Sequence, residues 1–474
     1  MGVVTKVRFS DSAKNLNFRL DFRYLIYSQS KLSFKSKPFS NYILSINNGK
    51  DISPNNYEDY NASDIIYPTV NNFKRGEFNY DDVTFINNEF HFSKFLENDD
   101  IIISRSGTVG LTYVWNKKKV NAIFKRDVEA IPSGYLIVVK IDKNRALPAF
   151  IKLLFNSFSY KRYFNVFGVG KSQKNIAQPD ILSIPIPTID IEKQKAILAK
   201  IKPIETEISN LKNSKLKPID IINKVFGEEF EFDWEKFENL KKQKTYSSNL
   251  NEFANNIDCR MGLRFHNLAG KYLHSFLVSK TAKKVKDFIA EPIVLGKSVS
   301  PSDYDENGEF YYIAMSNIKT YAFDPEDCKK VSEDYSNNNL KKTVQKGDIL
   351  LARSGEGTIG KVALIEDEDL NAIFADFTQR IRLTNYNTLF AYYYFRSEFF
   401  QYLVYTHKKG LGNNTNIFPS QIQEFPIPNW NNTKQIAIVE KIKTQIDTQN
   451  IIDSQIEQKQ KQINGIIESS IKTE

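Results

Sequence analysis

The sequence predicts a mixed α+β protein written twice. Two globular α/β bodies alternate with two long helices, which pair as an antiparallel coiled coil in a pseudo-two-fold repeat. Three observations predict this. First, short motifs recur half a chain apart. Asn121-Ala-Ile-Phe124 returns as Asn371-Ala-Ile-Phe374, and Ser104-Arg-Ser-Gly-Thr-Val-Gly110 answers Ala352-Arg-Ser-Gly-Glu-Gly-Thr-Ile-Gly360. Ile184-Pro-Ile-Pro187 answers Phe425-Pro-Ile-Pro428. Arg353 follows Arg105 by 248 positions and Pro426 follows Pro185 by 241, so one large module is duplicated and a solenoid of short units is excluded. Second, each copy runs through aliphatic strands to an aromatic helix in the same order. Third, each copy ends in a polar segment with a narrow apolar stripe at helical spacing.

Within each copy the elements follow from local pattern. Asp100-Ile-Ile-Ile-Ser104 and Asp348-Ile-Leu-Leu-Ala352 are short aliphatic runs that stop at Arg-Ser-Gly, the signature of buried strands punctuated by turns. Pro148-Ala-Phe-Ile-Lys-Leu-Leu-Phe-Asn-Ser and Leu389-Phe-Ala-Tyr-Tyr-Tyr-Phe-Arg-Ser carry aromatics at helical period, which assigns them to core-facing helices. Glycine-bearing loops follow at Gly168–Ile176 and Gly410–Ile417. The Pro-x-Pro pairs then forbid regular helix or central strand and mark a rigid exit from the body.

After the first exit, Ile197, Ile201, Ile204, Ile208 and Leu211 fall at alternating spacings of four and three, an a/d seam. After the second, Ile442, Ile446, Ile456, Ile463 and Ile467 keep the same period, interrupted by Gln449 and Asp453. Pro203 is placed to kink the first helix and Pro218 to end or break it. Each seam is left wet unless the helices pair with each other. The 24 residues from Gln194 to Lys217 span about 36 Å as helix, close to one turn of B-DNA at about 34–36 Å.

Composition narrows the function. With 474 residues and 41% apolar residues the chain has room for two to four domains and ample core. Apolar runs stop well short of the ~20 residues that span a bilayer, and the N-terminus shows no signal-peptide pattern. The two cysteines, Cys259 and Cys328, suit a reducing compartment, so a cytoplasmic protein is expected. A net charge of +9 favours a polyanionic partner.

Catalytic signatures are missing. Gly355-Glu-Gly-Thr-Ile-Gly-Lys-Val362 nearly satisfies the phosphate-loop pattern. Val362 stands where a magnesium-binding Ser or Thr is required, however, and the following residues read as a strand instead of a helix. Gly168-Val-Gly-Lys-Ser172 has Asn165 where the first glycine belongs. The four histidines, His91, His266, His274 and His407, lack metal-ligand spacing. No adenine-methylation signature and no recurring carboxylate pair is present, so the chain is read as no enzyme, with no metal and no catalytic residue. What recurs is Gly, Pro, Arg-Ser-Gly and aliphatics.

The order of these elements resembles the specificity subunit of type I restriction–modification systems. The resemblance is carried by three stretches. Tyr67-Pro-Thr-Val-Asn-Asn-Phe-Lys-Arg-Gly-Glu-Phe78 has its partner in Tyr312-Ile-Ala-Met-Ser-Asn-Ile-Lys-Thr-Tyr-Ala-Phe323. Gly347-Asp-Ile-Leu-Leu-Ala-Arg-Ser-Gly355 has its copy-one counterpart. The Pro-x-Pro exits lead into Glu192-Lys-Gln-Lys-Ala-Ile-Leu and Lys434-Gln-Ile-Ala-Ile-Val-Glu440. Copy one departs from the frame where Asn98-Asp-Asp100 replaces Gly-Asp, and its recognition frame is read as weaker there.

The resemblance implies target-recognition domains at 1–187 and, with a linker, at 229–428, and spacer helices at 188–228 and 429–474. It implies that each domain reads one half of a bipartite, asymmetric double-stranded DNA site. The helices, through the stripe residues named above, would set the unread spacer and dock methyltransferase subunits, and through them restriction/translocase subunits, in phage defence. Cofactors are expected to be absent from this chain, with S-adenosylmethionine, ATP and magnesium on the partners.

Base edges are read by Arg, Lys, Asn, Gln, Ser and Thr. The candidate DNA contacts are therefore Lys171, Ser172, Gln173 and Lys174 in one glycine loop and Asn413, Asn414 and Thr415 in the other. To these are added Arg105 and Arg353, and as phosphate contacts Lys74, Arg75, Lys319, Lys408 and Lys409. Two rivals stand beside this reading: a methyltransferase or nuclease carrying its own recognition domains, and a scaffold whose two bodies hold proteins instead of DNA.

Overall fold

The computed structural model describes residues 34–59, 62–74, 77–80, 82–88, 94–170, 174–254, 260–318, 323, 325, 328–411 and 414–472. The chain divides into two compact units, Met1–Ser214 with Ser454–Glu474, and Lys215–Asp453.

The first unit begins with β1 (Ser36–Pro38), β2 (Ile43–Asn48), β3 (Tyr57–Glu58), β4 (Ile65–Tyr67), β5 (Phe73–Lys74), β6 (Glu77–Phe78) and β7 (Thr84–Ile86). It continues through β8 (Ile101–Ser104), β9 (Thr112–Val114), α1 (Lys117–Phe124), β10 (Glu129–Ala130), β11 (Leu136–Ile141), α2 (Pro148–Asn156), α3 (Phe158–Phe167), α4 (Gln178–Leu182), β12 (Pro185–Pro187) and α5 (Ile191–Ser214). One sheet has the order β2-β11-β8-β9, all antiparallel. A second has the order β10-β4-β7-β3 and contains the parallel pair β4–β10. The Pro-x-Pro exit pairs with β1 at an edge, where proline's missing N–H costs no ladder bond.

The second unit comprises α6 (Pro218–Phe230), α7 (Trp234–Lys242), α8 (Leu250–Ala254), α9 (Leu268–Lys280), β13 (Val294–Leu295), β14 (Phe310–Ile313), β15 (Lys329–Val331), α10 (Glu333–Asn338), β16 (Ile349–Ala352), β17 (Val362–Leu364), β18 (Ala372–Phe374), β19 (Thr378–Ile381), α11 (Thr388–Arg396), α12 (Glu398–His407) and α13 (Pro419–Gln423). Its sheets, β13-β19-β16-β17 and β15-β14-β18, repeat the first unit's plan, again with one parallel pair, β14–β18. The predicted buried strands are β8 and β16, every residue of which is buried.

A single helix, α14 (Asn432–Lys472), closes the chain, and the division into units falls inside it. In the first unit Ile197, Ile201, Ile204 and Ile208 of α5 share a core with Ile463, Ile467 and Ile471 of α14, with Ile456 packed at its margin. Each isoleucine so covered contributes roughly 1.5–3 kcal/mol of burial. In the second unit Ile438, Val439 and Ile442, with Ile446 beside them, join Ile222, Val225, Phe226 and Phe230 of α6. The pairing there is antiparallel: Lys215 meets Asp453 at 2.6 Å and Glu228 meets Lys441 at 2.9 Å.

The break at Pro218 occurs as expected, with Pro218 opening α6. Pro203 lies inside α5. The polar interruptions now have a reason. The Gln449 side-chain oxygen accepts from the Leu216 N–H, freed at the break, at 2.9 Å, and Asp453 pairs with the neighbouring Lys215 ammonium. One expectation is corrected. The stripe residues hold helix to helix within this chain and are covered, Leu211, Ile446 and Ile456 partly so, which leaves the polar faces for any partner subunit.

Each exit helix is pinned to its body by a buried glutamine. Gln194 accepts from Leu147 N–H at 2.8 Å and donates to Ile189 C=O at 3.0 Å. Gln435 accepts from Asn387 N–H at 2.9 Å and donates to Trp430 C=O at 2.7 Å.

Two further expectations change. The repeated Asn-Ala-Ile-Phe is not one element seen twice: residues 121–124 end helix α1, whereas 372–374 form strand β18. The strand equivalent to β18 is β10, since β10 pairs in parallel with β4 as β18 does with β14. Copy one carries extra residues between β9 and β10. There Asn116 caps a helix by accepting from Lys119 N–H, and Val120 and Phe124 are buried. The tetrapeptide suits either conformation and its surroundings decide. The weaker frame read at Asn98-Asp-Asp100 is also corrected. Asp99 adopts φ 71° where Gly347 has φ 89°. Both turns make the same bonds, Asp99 N–H to Trp115 C=O at 3.0 Å and Gly347 N–H to Ile365 C=O at 2.8 Å. Aspartate tolerates the left-handed region well enough to replace glycine there.

Candidate nucleic-acid interface

In both units the Arg-Ser-Gly turn and the glycine loop are stitched together by backbone. In the first, Ile176 N–H donates to Arg105 C=O at 2.9 Å and Gly107 N–H to Lys174 C=O at 3.0 Å. In the second, Ile417 N–H donates to Arg353 C=O at 2.9 Å and Gly355 N–H to Thr415 C=O at 3.1 Å. Each loop closes on itself through a reciprocal pair, Val169 with Asn175 and Lys409 with Asn416. The glycines of the turns have φ of 73° and 84°, a region a β-carbon disfavours, which explains why Gly107 and Gly355 recur. A third strand joins: Arg105 N–H reaches Tyr135 C=O and Arg353 N–H reaches Phe377 C=O, both at 2.9 Å. Turn, loop and strand start are thus hydrogen-bonded together in each copy.

The sequence candidates distribute over this surface unevenly. Lys171, Ser172, Gln173, Asn413, Arg75 and Lys319 lie outside the described residues, and Lys74 sits in β5 with its side chain outside them. Lys174 turns back, donating to the C=O of Asn165 at 3.2 Å. Asn414 is exposed. Arg353 is half-buried, donates through Nε to Asp376 C=O at 3.0 Å and lies 5.9 Å from the Phe418 ring, where Lys409 also lies. Arg105 is half-buried.

Two candidates are corrected. Thr415 is 1% exposed and faces the Glu356 carboxylate, so its hydroxyl is turned into the fold. Lys408 is 5% exposed and gives its ammonium to Glu356 at 2.9 Å, so its charge is already neutralised. Both corrections trace to Glu356, which occupies the two-residue insertion that copy one lacks.

The hydrogen bond from Lys408 holds the Glu356 carboxyl below its ordinary value of 4.5. A depressed carboxylate contributes stability that is complete above its unfolded pKa and is lost as pH falls through the folded one. Glu356→Gln is therefore expected to flatten the acid limb of the melting temperature against pH, below about pH 5. Identical limbs for the two proteins would contradict this contact.

Sequence reading missed the exposed aromatics. Tyr135 is 55% exposed and Phe377 47% exposed, and each supplies the carbonyl that holds its unit's Arg-Ser-Gly turn. Their signal was present: the two stand 242 positions apart, as do the strand starts around them. In the first unit Tyr135 borders a cleft of about 430 Å³ that also takes in Asp51, Tyr67, Asn71 and Ser106.

The phosphate-loop mimic is settled by geometry. Gly355–Lys361 leads into β17, so no helix N-terminus faces the site. Among the described residues no group of His, Cys, Asp and Glu could hold a metal ion, and no helix is long and apolar enough to cross a membrane.

Residues 278–462 match the family model of the type I restriction modification DNA specificity domain. The second half of the chain is thus similar to a type I DNA specificity domain. That span contains the Arg353 turn, the Gly410 loop and the start of α14. No curated protein matches the chain. Among solved structures the chain is similar to one in a study of complex assembly and conformational transition of the type I R-M system, at 12% identity and a TM-score of 0.47 over 92% of this chain and 97% of that one. It is also similar to the type I S subunit from M. genitalium, at 13% identity and a TM-score of 0.35 over 92% and 94%. A third likeness is to the HsdS subunit from Thermoanaerobacter tengcongensis, at 13% identity and 0.29 over 94% and 98%. In the first unit the same turn, loop and exposed aromatic recur outside the matched span, so the frame of that span is present twice.

Proposed function

We propose that this chain is the DNA-recognition subunit of a type I restriction–modification complex, each unit reading one half of a bipartite site. The observation that carries this is the repeated frame. Turn, loop and aromatic hold the same backbone bonds in both units, while what they present differs: Tyr135 stands against Phe377, and Glu356 has no counterpart in the first unit. A common scaffold with divergent tips is what reading two different half-sites requires. The exposed aromatics and Asn414 are the base-facing candidates, and the exposed and half-buried cations position the phosphates.

On this reading the chain performs no catalysis. Methyl transfer and cleavage, with S-adenosylmethionine, ATP and magnesium, belong to methyltransferase and restriction subunits in the cytoplasm. Those partners dock on the polar faces of α5, α6 and α14, and the helices set the unread spacer.

The test is binding of the purified chain with its methyltransferase subunits to duplex DNA across a salt series. Log affinity should fall linearly with log salt, at about 0.9 per phosphate neutralised. Binding indifferent to salt, or methyl transfer by the isolated chain, would refute the assignment.

A further inference from the structure

The segment just ahead of the second specificity domain grips the neck of its recognition loop. Arg260 spreads its guanidinium across two successive carbonyls, with Nη1 donating to His407 at 2.8 Å and Nη2 to Lys408 at 2.9 Å. Arg264 donates through Nη2 to Gly410 C=O at 3.3 Å. These three carbonyls span the end of α12 and the first residues of the loop.

The grip is itself held. The Arg260 guanidinium lies 4.5 Å from the Phe265 ring, and the Phe265 and His407 rings meet edge to face at 5.1 Å. His266, 3% exposed, bonds to Arg260 C=O at 2.6 Å. Gln421 donates to the same His407 carbonyl from the loop's far side at 2.7 Å.

A helix end supplies carbonyls without intrahelical partners, and a planar guanidinium suits two neighbouring ones together. What is unusual is the target. The arginines are spent on the backbone of a loop whose tip, Leu411 and Asn414, stands in solvent. The same spacing stands in the other copy: Ala13, Asn15, Arg19 and Arg23 precede Ala254, Asn256, Arg260 and Arg264 by 241 positions each, the offset of the Pro-x-Pro exits. Residues 13 to 23 lie outside the described residues, and the correspondence is one of sequence alone.

We propose that Arg260 and Arg264 are positioning residues that fix the second recognition loop and thereby set how strictly the second half-site is read. The proposal rests on the DNA-reading function above. Preorganised donors and acceptors discriminate bases only while their geometry is held, and a loosened neck lets the tip adapt to wrong bases.

The experiment assembles the chain with its methyltransferase subunits and measures methylation of a duplex library in which each half-site is varied separately. Arg260→Ala is expected to lower the preference for correct over single-mismatch second halves at least tenfold while leaving first-half preference unchanged. Arg260→Lys, which keeps the charge but cannot fork across two carbonyls, should fall between it and wild type, and Arg264→Ala should act in the same direction more weakly. Thermal melting of each variant separates loosened reading from lost fold, because lost fold lowers total methylation without changing the ratio. Wild-type selectivity in Arg260→Ala and Arg260→Lys, or equal loss at both halves, overturns the proposal. A wild-type complex with no base preference at either half overturns the DNA-reading function with it.

Discussion

Asp348→Ala is expected to cost about 3–5 kcal/mol of folding stability. Asp348 is fully buried. It accepts from Arg382 Nε and Nη2, both at 2.7 Å, and from the Gln345 N–H at 2.8 Å. Removing it leaves Arg382 with Glu291 alone, at 3.2 Å, and strands the Gln345 N–H beneath the strand that ends in the Arg353 turn, so recognition and stability fall together. Asp100 holds the same place in the first unit, accepting from Glu97 N–H at 2.8 Å. Its partner position differs: Lys140 pairs with Glu97 instead, and burial pushes the Asp100 carboxyl above its ordinary value of 3.8. A raised carboxyl is a stabilising group only below its unfolded pKa, and that contribution is lost as pH rises through the folded one. Asp100→Asn should therefore be neutral or stabilising at pH 7, where Asp348→Asn remains costly. Chemical denaturation of these variants checks both statements, and equal losses at the two positions would contradict them.

The second large effect concerns specificity. Exchanging the second unit's loop, Lys409–Asn416, for the corresponding loop of a relative with a different target should change the bases required in one half of the site only. Each altered base pair should shift discrimination by about 1–3 kcal/mol. The physical reason is the closed frame: the loop closes on itself between Lys409 and Asn416 and joins the Gly355 turn through the Thr415 carbonyl, all backbone bonds that any sequence can make. The first half-site should be untouched. A hybrid altered in both halves would show that one unit does not read one half.

The duplicated fold was legible in the sequence because its signals are local. Aliphatic strands, Pro-x-Pro exits and isoleucine stripes declare themselves through composition and period, and β8, β16, α2, α11 and α5 formed where those patterns stood. The Asn-Ala-Ile-Phe repeat misled because four residues carry no information about the helix cap at Asn116 that claims one copy. Asn98-Asp-Asp100 misled because a turn is defined by φ, which aspartate and glycine share at that position.

The candidate interface was legible only in outline. Pattern located the turn and the loop. It could not show that Glu356 draws Lys408 and Thr415 inward, since that depends on a contact across 52 and 59 positions. Tyr135 and Phe377 were overlooked because an exposed aromatic and a buried one look alike in sequence. Arg260 was overlooked because its partners are backbone carbonyls, which leave no mark in composition.

The most direct measurement is a genome-wide map of modified bases in cells with and without this gene, the partner subunits being present in both. The account predicts gene-dependent methylation at one asymmetric motif, made of two short specified halves separated by an unspecified gap of constant length. Methylation that is unchanged without the gene, or that follows a single uninterrupted motif, would contradict it.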